Sequence, residues 1–512
     1  IAVYLAALFP TSPLILASFL LAYLVVCMRF ADAWLIIVPV LLPLLYLAPW
    51  SGRIFFDEFD LVLLCTLATA LWHDRLSFRS LQIRGASQTI LILFTALYLH
   101  AIWRGLAFTG ELDFNAFASY YSPLNAVRIG KGYLWALALY PAWAAARQRD
   151  RARSDRLLAT GLTLGMLGVS VIVLWERGVL HDIVFYQDRY TLIGSLLNFS
   201  TPYRITALFA DMHTGGEAID GYLTLVLPFA AMILLTASNR MTALFGATVT
   251  LATLYAMAVT FSRGVYFGLG ISLVAAFGLG AVRYAERLSL RLLVLSALGI
   301  ASTVAMAVLA FRSGGVPAIA ASIAAFATGT AYAFATERGR RSALLSGIAV
   351  AGVLACAAIG AYAAATSKWT QIGRPTGMSV SAFSCILFAL IAAGLNRSWN
   401  RVVRIRTRAL VSLLTCATIA VFVPSLFGSR MEQRFSTATG DMQQRIDHWT
   451  DAVQTMDKNL STRLLGQGVG RFPERYYWNK QEAKDVGSFV FLEEDANTFL
   501  RFAGAKDVRL GQ

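Results

Sequence analysis

Charge is scarce in this 512-residue sequence: only 14% of its residues are Asp, Glu, Lys or Arg, and just 29 of them are acidic. That is too few to solvate the surface of a water-soluble protein of this size. Histidine and cysteine number only five each. Cys27, Cys65, Cys356, Cys385 and Cys416 all lie in apolar runs with no C-x-x-C pair and no nearby histidine, which excludes a disulfide framework and a zinc centre. The net charge of +15 does not mean nucleic acid, because no basic stripe with interleaved aromatics forms a groove. The first apolar run carries no basic n-region and no small-residue cleavage site, so it is not expected to be a signal peptide.

Apolar residues, by contrast, make up 57% of the chain, and the mean hydropathy of +0.61 calls for lipid as solvent. Stretches of about twenty apolar residues recur from 14–28 to 409–427, among them 58–72, 119–145, 219–236, 264–282, 289–311 and 316–335. They predict an all-α polytopic membrane protein with about fourteen spans, in a range of roughly 12–15. The first nine residues make half a span before Pro10, so the native N-terminus is expected upstream.

Arginines in alternate connections set the orientation. One side carries about 21 cations, including Arg75, Arg147, Arg149, Arg283, Arg338 and Arg408, and the other about nine before the tail, including Arg104, Arg177, Arg204, Arg263 and Lys368. The richer side is expected to be cytoplasmic. The chain then divides into a membrane domain, 1–427, with an extracytoplasmic loop at 176–218, and an extracytoplasmic segment, 428–512. In that segment Met442, Ile446, Trp449, Val453 and Met456 recur at helical spacing, and the residues after Phe489 and Thr498 alternate like short strands. No closing element follows, so a further module or more helices are expected beyond Gln512.

Several polar groups stand out against this background. Arg204, Asp211, His213, Glu217 and Asp220 fall within seventeen positions at the mouth of a span. The loop could equally be solvated, with its acids capping the next helix. Arg263, in Phe261-Ser262-Arg263-Gly264, sits between two long apolar runs, where it must find an anion or snorkel to the headgroups. Arg128 and Lys131, three apart on one helical face of the fifth span, suit either an anion or a buried ion pair with a carboxylate from another helix; the anion is preferred because few acids are predicted inside the membrane to pair with them. Arg445 and His448 lie on the tail helix, where the histidine is either a base or a surface residue. The glycines of Leu465-Gly-Gln-Gly-Val-Gly-Arg follow a helix, which favours turns over a phosphate loop. The acids at Asp57, Glu58 and Asp60, and at Glu111 and Asp113, could hold magnesium, yet such stretches also arise as solvated span edges; no metal and no cofactor are expected.

Three of these pieces, taken in order, resemble the O-antigen ligase and polymerase superfamily of bacterial membrane glycosyltransferases: the loop Arg204 to Tyr222, the Ser262-Arg263-Gly264 turn, and Arg445-Ile-Asp-His-Trp running to Leu465-Gly-Gln-Gly-Val-Gly-Arg-Phe. The resemblance covers about a sixth of the chain. It implies a GT-C-like helical bundle in the inner membrane and a polyprenyl-diphosphate-linked glycan donor. It also implies a glycan, lipid or protein acceptor, metal-independent inverting transfer, and partners among envelope polysaccharide assembly proteins. Arg204 and Arg263 match the arginines that hold the diphosphate. Ala496, in Glu494-Asp-Ala-Asn, stands where the ligases carry a catalytic histidine, which leaves the base to His213, Glu217 or His448 and fits a polymerase or exopolysaccharide-type relative better. A transporter or lipid-linked glycan flippase is the competing class, since intramembrane cations also suit substrate passage; a scaffold would leave both arginines unexplained.

Overall fold

The computed structural model describes residues 13–45, 57–75, 85–106, 124–180, 192–201, 203–209, 217–237, 239–272, 290–339, 342–367, 372–400, 405–454, 456–472, 489–494, 497–502 and 508–509. Helix dominates them. Among the described residues seven helices are long and apolar enough to cross a membrane, and three more are apolar but shorter, so the chain is a helical membrane protein in character. The remaining expected spans fall on shorter helices, on one helix interrupted by cations, or partly outside the described residues. The chain divides into two compact units: 1–165 with 208–214 and 437–512, and 166–207 with 215–436.

The first unit opens with α1 (Pro13–Arg29), α2 (Trp34–Leu44), α3 (Glu58–Trp72), α4 (Ala86–Leu106) and α5 (Asn125–Arg149). Leu16, Leu20, Leu35, Leu61, Cys65 and Ala142 form its core, and within it the Tyr23 hydroxyl meets Thr66 Oγ1 at 2.6 Å, so neither polar group is buried unpaired. Polar contacts collect at the two ends of these helices. At one end Arg75 pairs with Asp32 at 2.5 Å. At the other, Asp57 caps α3 in a reciprocal box with Asp60: the Asp60 amide donates to Asp57 Oδ1 at 3.0 Å and the Asp57 amide to Asp60 Oδ2 at 2.8 Å.

The tail helices α15 (Ala438–Gln454) and α16 (Leu460–Leu465) belong to the same unit. The glycine run after α16 serves packing. The Val469 amide donates to Ala101 O at 3.0 Å and Asn125 Nδ2 to Gly470 O at 3.0 Å, which pins the run to the end of α4 and the start of α5. A Cβ on Gly468 would lie 2.4 Å from the Gly105 nitrogen, and the residue's φ is +111°, so only glycine fits. The segment ends in an antiparallel ladder, β1 (Phe489–Glu494), β2 (Asn497–Phe502) and β3 (Val508–Arg509), which agrees with the alternation read after Phe489 and Thr498.

The second unit contains α7 (Leu192–Leu196), α8 (Glu217–Thr236), α9 (Arg240–Val259), α10 (Leu290–Glu337), α11 (Ala343–Thr366), α12 (Arg374–Ser398), α13 (Ile405–Phe427) and α14 (Ser429–Ser436). Before them, α6 (Arg151–Trp175) runs into a π-helical turn, Glu176–Leu180. α10 is a hairpin. Gly315 breaks it at φ 66° and ψ −154°, with Pro317 just beyond. Side-chain pairs with α12 show the reversal: Ser296 faces Trp399 and Ser313 faces Ser381, after which Ser322 faces Cys385 and Thr330 faces Asn396. The stretches 289–311 and 316–335 are therefore separate arms, as the hydropathy predicts. Small residues let the arms approach closely; a Cβ on Gly329 would lie 2.2 Å from Ala389 O. At the open end of the hairpin Arg408 holds both oxygens of Glu337, at 2.7 and 2.6 Å. All five cysteines are free.

Candidate anion-binding site

The site is built from the ends of α6, α8 and α9 together with α14, all within the second unit. α6 ends on two adjacent charges, Glu176 and Arg177, that are 3% and 0% exposed. Charges so buried need partners; Glu176 finds a full set, whereas among the described residues Arg177 Nε and Nη1 are buried without a hydrogen bond and only Nη2 makes one. Glu176 Oε1 accepts from the Tyr203 hydroxyl at 2.6 Å and the Thr206 amide at 3.0 Å, while Oε2 accepts from the Ala207 amide at 2.9 Å. Burial, and next the neighbouring Glu176 carboxylate, pushes the Tyr203 hydroxyl above its ordinary range, so it remains a donor. Arg177 Nη2 donates to Asn198 O, and its guanidinium lies 5.9 Å from the centroid of the Phe261 ring.

These partners include two strained residues. Ala207 and Phe261 each have φ of 49°, a left-handed conformation that costs a non-glycine residue about 1–3 kcal/mol and persists only where neighbours impose it. Ala207 follows Arg204 by three residues, and Phe261 precedes Arg263 by two.

Arg204 Nε donates to Thr260 O at 3.2 Å, and its Nη2 lies 3.5 Å from Asp220 Oδ2 in the first turn of α8. Thr260 ends α9. The next helix begins at Arg263, where Ser262 Oγ receives the Val265 amide at 3.5 Å. Arg263 Nη1 donates to Arg434 O on α14 at 3.2 Å. The Tyr266 hydroxyl, which donates to Ala258 O, lies within electrostatic reach of Asp220 and Arg434. Gly264 is exposed, and a Cβ there would meet nothing closer than Ser262 Oγ at 3.7 Å, so the backbone beside Arg263 is open. Thus Arg177, Arg204, Arg263 and Arg434 gather with the carboxylates Glu176 and Asp220. The set is cationic on balance and suits an anion with several oxygens.

Of the residues singled out in the sequence, Arg204, Asp220 and Arg263 come together here. Asp211 and His213 lie outside the described residues, as do Glu111, Asp113 and Ala496; Glu217 begins α8. Arg445 and His448 are exposed on α15, in the other unit.

Lys131 lies 2.7 Å from Asp57 Oδ2 and 2.6 Å from Asp60 Oδ2, and Trp135 Nε1 donates to Asp60 Oδ1 at 2.7 Å. Its charge is met by acids from α3, which is the ion-pair alternative for this residue. Spacing along α5 could not reveal partners more than seventy positions away. Arg128, for its part, donates to Asn125 Oδ1 at 2.7 Å. The same pairing engages Asp57 and Asp60, two of the acids considered for magnesium, and among the described residues no group of three His, Cys, Asp or Glu side chains converges.

Reading the sequence missed Glu176, Tyr203 and Arg434, and counted Arg177 only as a topology signal. Two adjacent opposite charges closing an apolar run were the available clue to the first pair; Arg430 and Arg434, one helical turn apart just after the last span, were the clue to the other. No family model, curated protein or solved structure matches the chain.

Proposed function

We propose that this chain is a membrane glycosyltransferase of the polysaccharide polymerase or O-antigen ligase type, which moves a glycan from a polyprenyl-diphosphate donor to an acceptor hydroxyl at the outer face of the bacterial inner membrane. One observation carries the reading. Arg204 binds the carbonyl of Thr260, three residues before Arg263, so the two arginines that resemble the family's diphosphate ligands belong to one turn. Arg434 adds a third guanidinium there.

In this reading the acceptor oxygen attacks the anomeric carbon, the bond from that carbon to the diphosphate oxygen breaks, and the guanidinium groups stabilise the negative charge on the departing diphosphate. A general base takes the acceptor proton, and of the expected candidates His213, Glu217 and His448 it is Glu217, at the start of α8, that belongs to the same unit as the arginines. Inversion follows from a single displacement, and no metal or cofactor is assigned a role. About fourteen spans in a GT-C-like bundle, with the arginine-rich connections in the cytoplasm, would put the clamp on the periplasmic side. Envelope polysaccharide assembly proteins are the natural partners.

The test uses purified protein with a polyprenyl-diphosphate glycan, assayed for lengthening or transfer of the glycan with and without chelator. Turnover that resists the chelator and is lost in Arg263→Ala at unchanged expression is expected. A donor that stays chemically intact but crosses the bilayer would assign the chain to the flippases instead.

A further inference from the structure

We infer that Glu176 and Arg177 are positioning residues that hold Arg204 and Arg263 in register, an inference resting on the diphosphate-clamp reading of those two arginines. They lie on a π-helical turn, a geometry frequent at functional sites, at the end of a long apolar helix. From there the pair reaches both strained residues. Glu176 receives the amides of Thr206 and Ala207 and the hydroxyl of Tyr203, which brackets Arg204 from either side. Arg177 covers the ring of Phe261, two residues before Arg263, and secures Asn198 O at the start of the segment that carries Arg204.

Neither Ala207 nor Phe261 would keep a positive φ without such support, and relaxation at either would redirect the arginine beside it. A carboxylate suits this task because its two oxygens can take two backbone amides and a hydroxyl together. Glutamine has one acceptor oxygen and would turn an NH2 group toward those same donors. Adjacent positions on the turn thus act on two loops that are more than fifty residues apart in sequence, linking them without either residue having to touch substrate.

The experiment uses the full chain in detergent or nanodiscs, as wild type, Glu176→Gln, Tyr203→Phe and Glu176→Gln with Ala207→Gly. Amide hydrogen exchange at Thr206 and Ala207 is read beside the affinity for inorganic pyrophosphate. Glu176→Gln is expected to speed exchange at these two amides by about tenfold or more and to weaken pyrophosphate by a similar factor. Tyr203→Phe, which keeps both amide bonds, should show a smaller effect of the same kind. Ala207→Gly should recover part of the lost affinity, because glycine adopts positive φ freely. A Glu176→Gln protein that exchanges and binds as wild type does would overturn the inference. Failure of the wild type to bind pyrophosphate, with no change on Arg204→Ala, would refute the clamp reading alone, and the exchange rates would still decide whether Glu176 holds the loop.

Discussion

Replacing Lys131 with methionine removes the cation that bridges a carboxylate pair partly closed off from solvent. Asp60 is 2% exposed and keeps the Trp135 indole and the Asp57 amide as donors. Asp57, at 24% exposure, can hydrate and contributes little to the loss. Stranding one buried carboxylate beside another costs about 3–5 kcal/mol, which lowers the melting temperature by on the order of 10 °C. Adding Asp60→Asn neutralises the stranded charge while keeping one acceptor oxygen, so the double variant should regain more than half of the loss, a coupling of about 1–3 kcal/mol. Thermal unfolding in detergent, followed by intrinsic fluorescence, measures all three proteins, with a pyrophosphate titration alongside. A single variant that melts like wild type, or a double variant no better than the single, would refute the ion-pair argument. A single variant that melts normally but no longer binds pyrophosphate would return Lys131 to the anion site.

Two further outcomes are expected elsewhere. Gly468→Ala sets a Cβ against the Gly105 backbone at a φ of +111°, and should release the run after α16 from α4 and α5, seen as protease cleavage near 466–470 in a membrane core that stays intact. Arg408→Leu leaves Glu337 without the Nη2 donor that both its oxygens share at the open end of the α10 hairpin and should cost about 3 kcal/mol, whereas Glu337→Gln, which keeps one acceptor for the guanidinium, should cost less.

What was legible in the sequence follows the physics of each signal. Hydropathy reports local burial in lipid, so α6, α9, α11, α12 and both arms of α10 were visible as apolar runs. α5 begins at Asn125, and the cost of Lys131 in its second turn is offset by ion pairs with α3. Arg204 and Arg263 were conspicuous because a lone cation beside apolar helices demands a reason. Glu176 was not, since its partners Tyr203, Thr206 and Ala207 lie about thirty residues on and the shortest bonds from Thr206 and Ala207 come from backbone amides, which leave no trace in residue identity.

The fold-back at Gly315 bears on the packing of its unit. An unbroken helix of 48 residues would measure about 72 Å, more than twice the thickness of a bilayer core. One glycine at positive φ folds that length into two arms, each about the thickness of a bilayer core, and sets both against the same partner helix. A substitution forcing position 315 back into helical geometry would therefore do more than strain one bend: it would draw one of the two arms off α12 and strand buried hydroxyls such as Ser313 or Ser322 without their partners there.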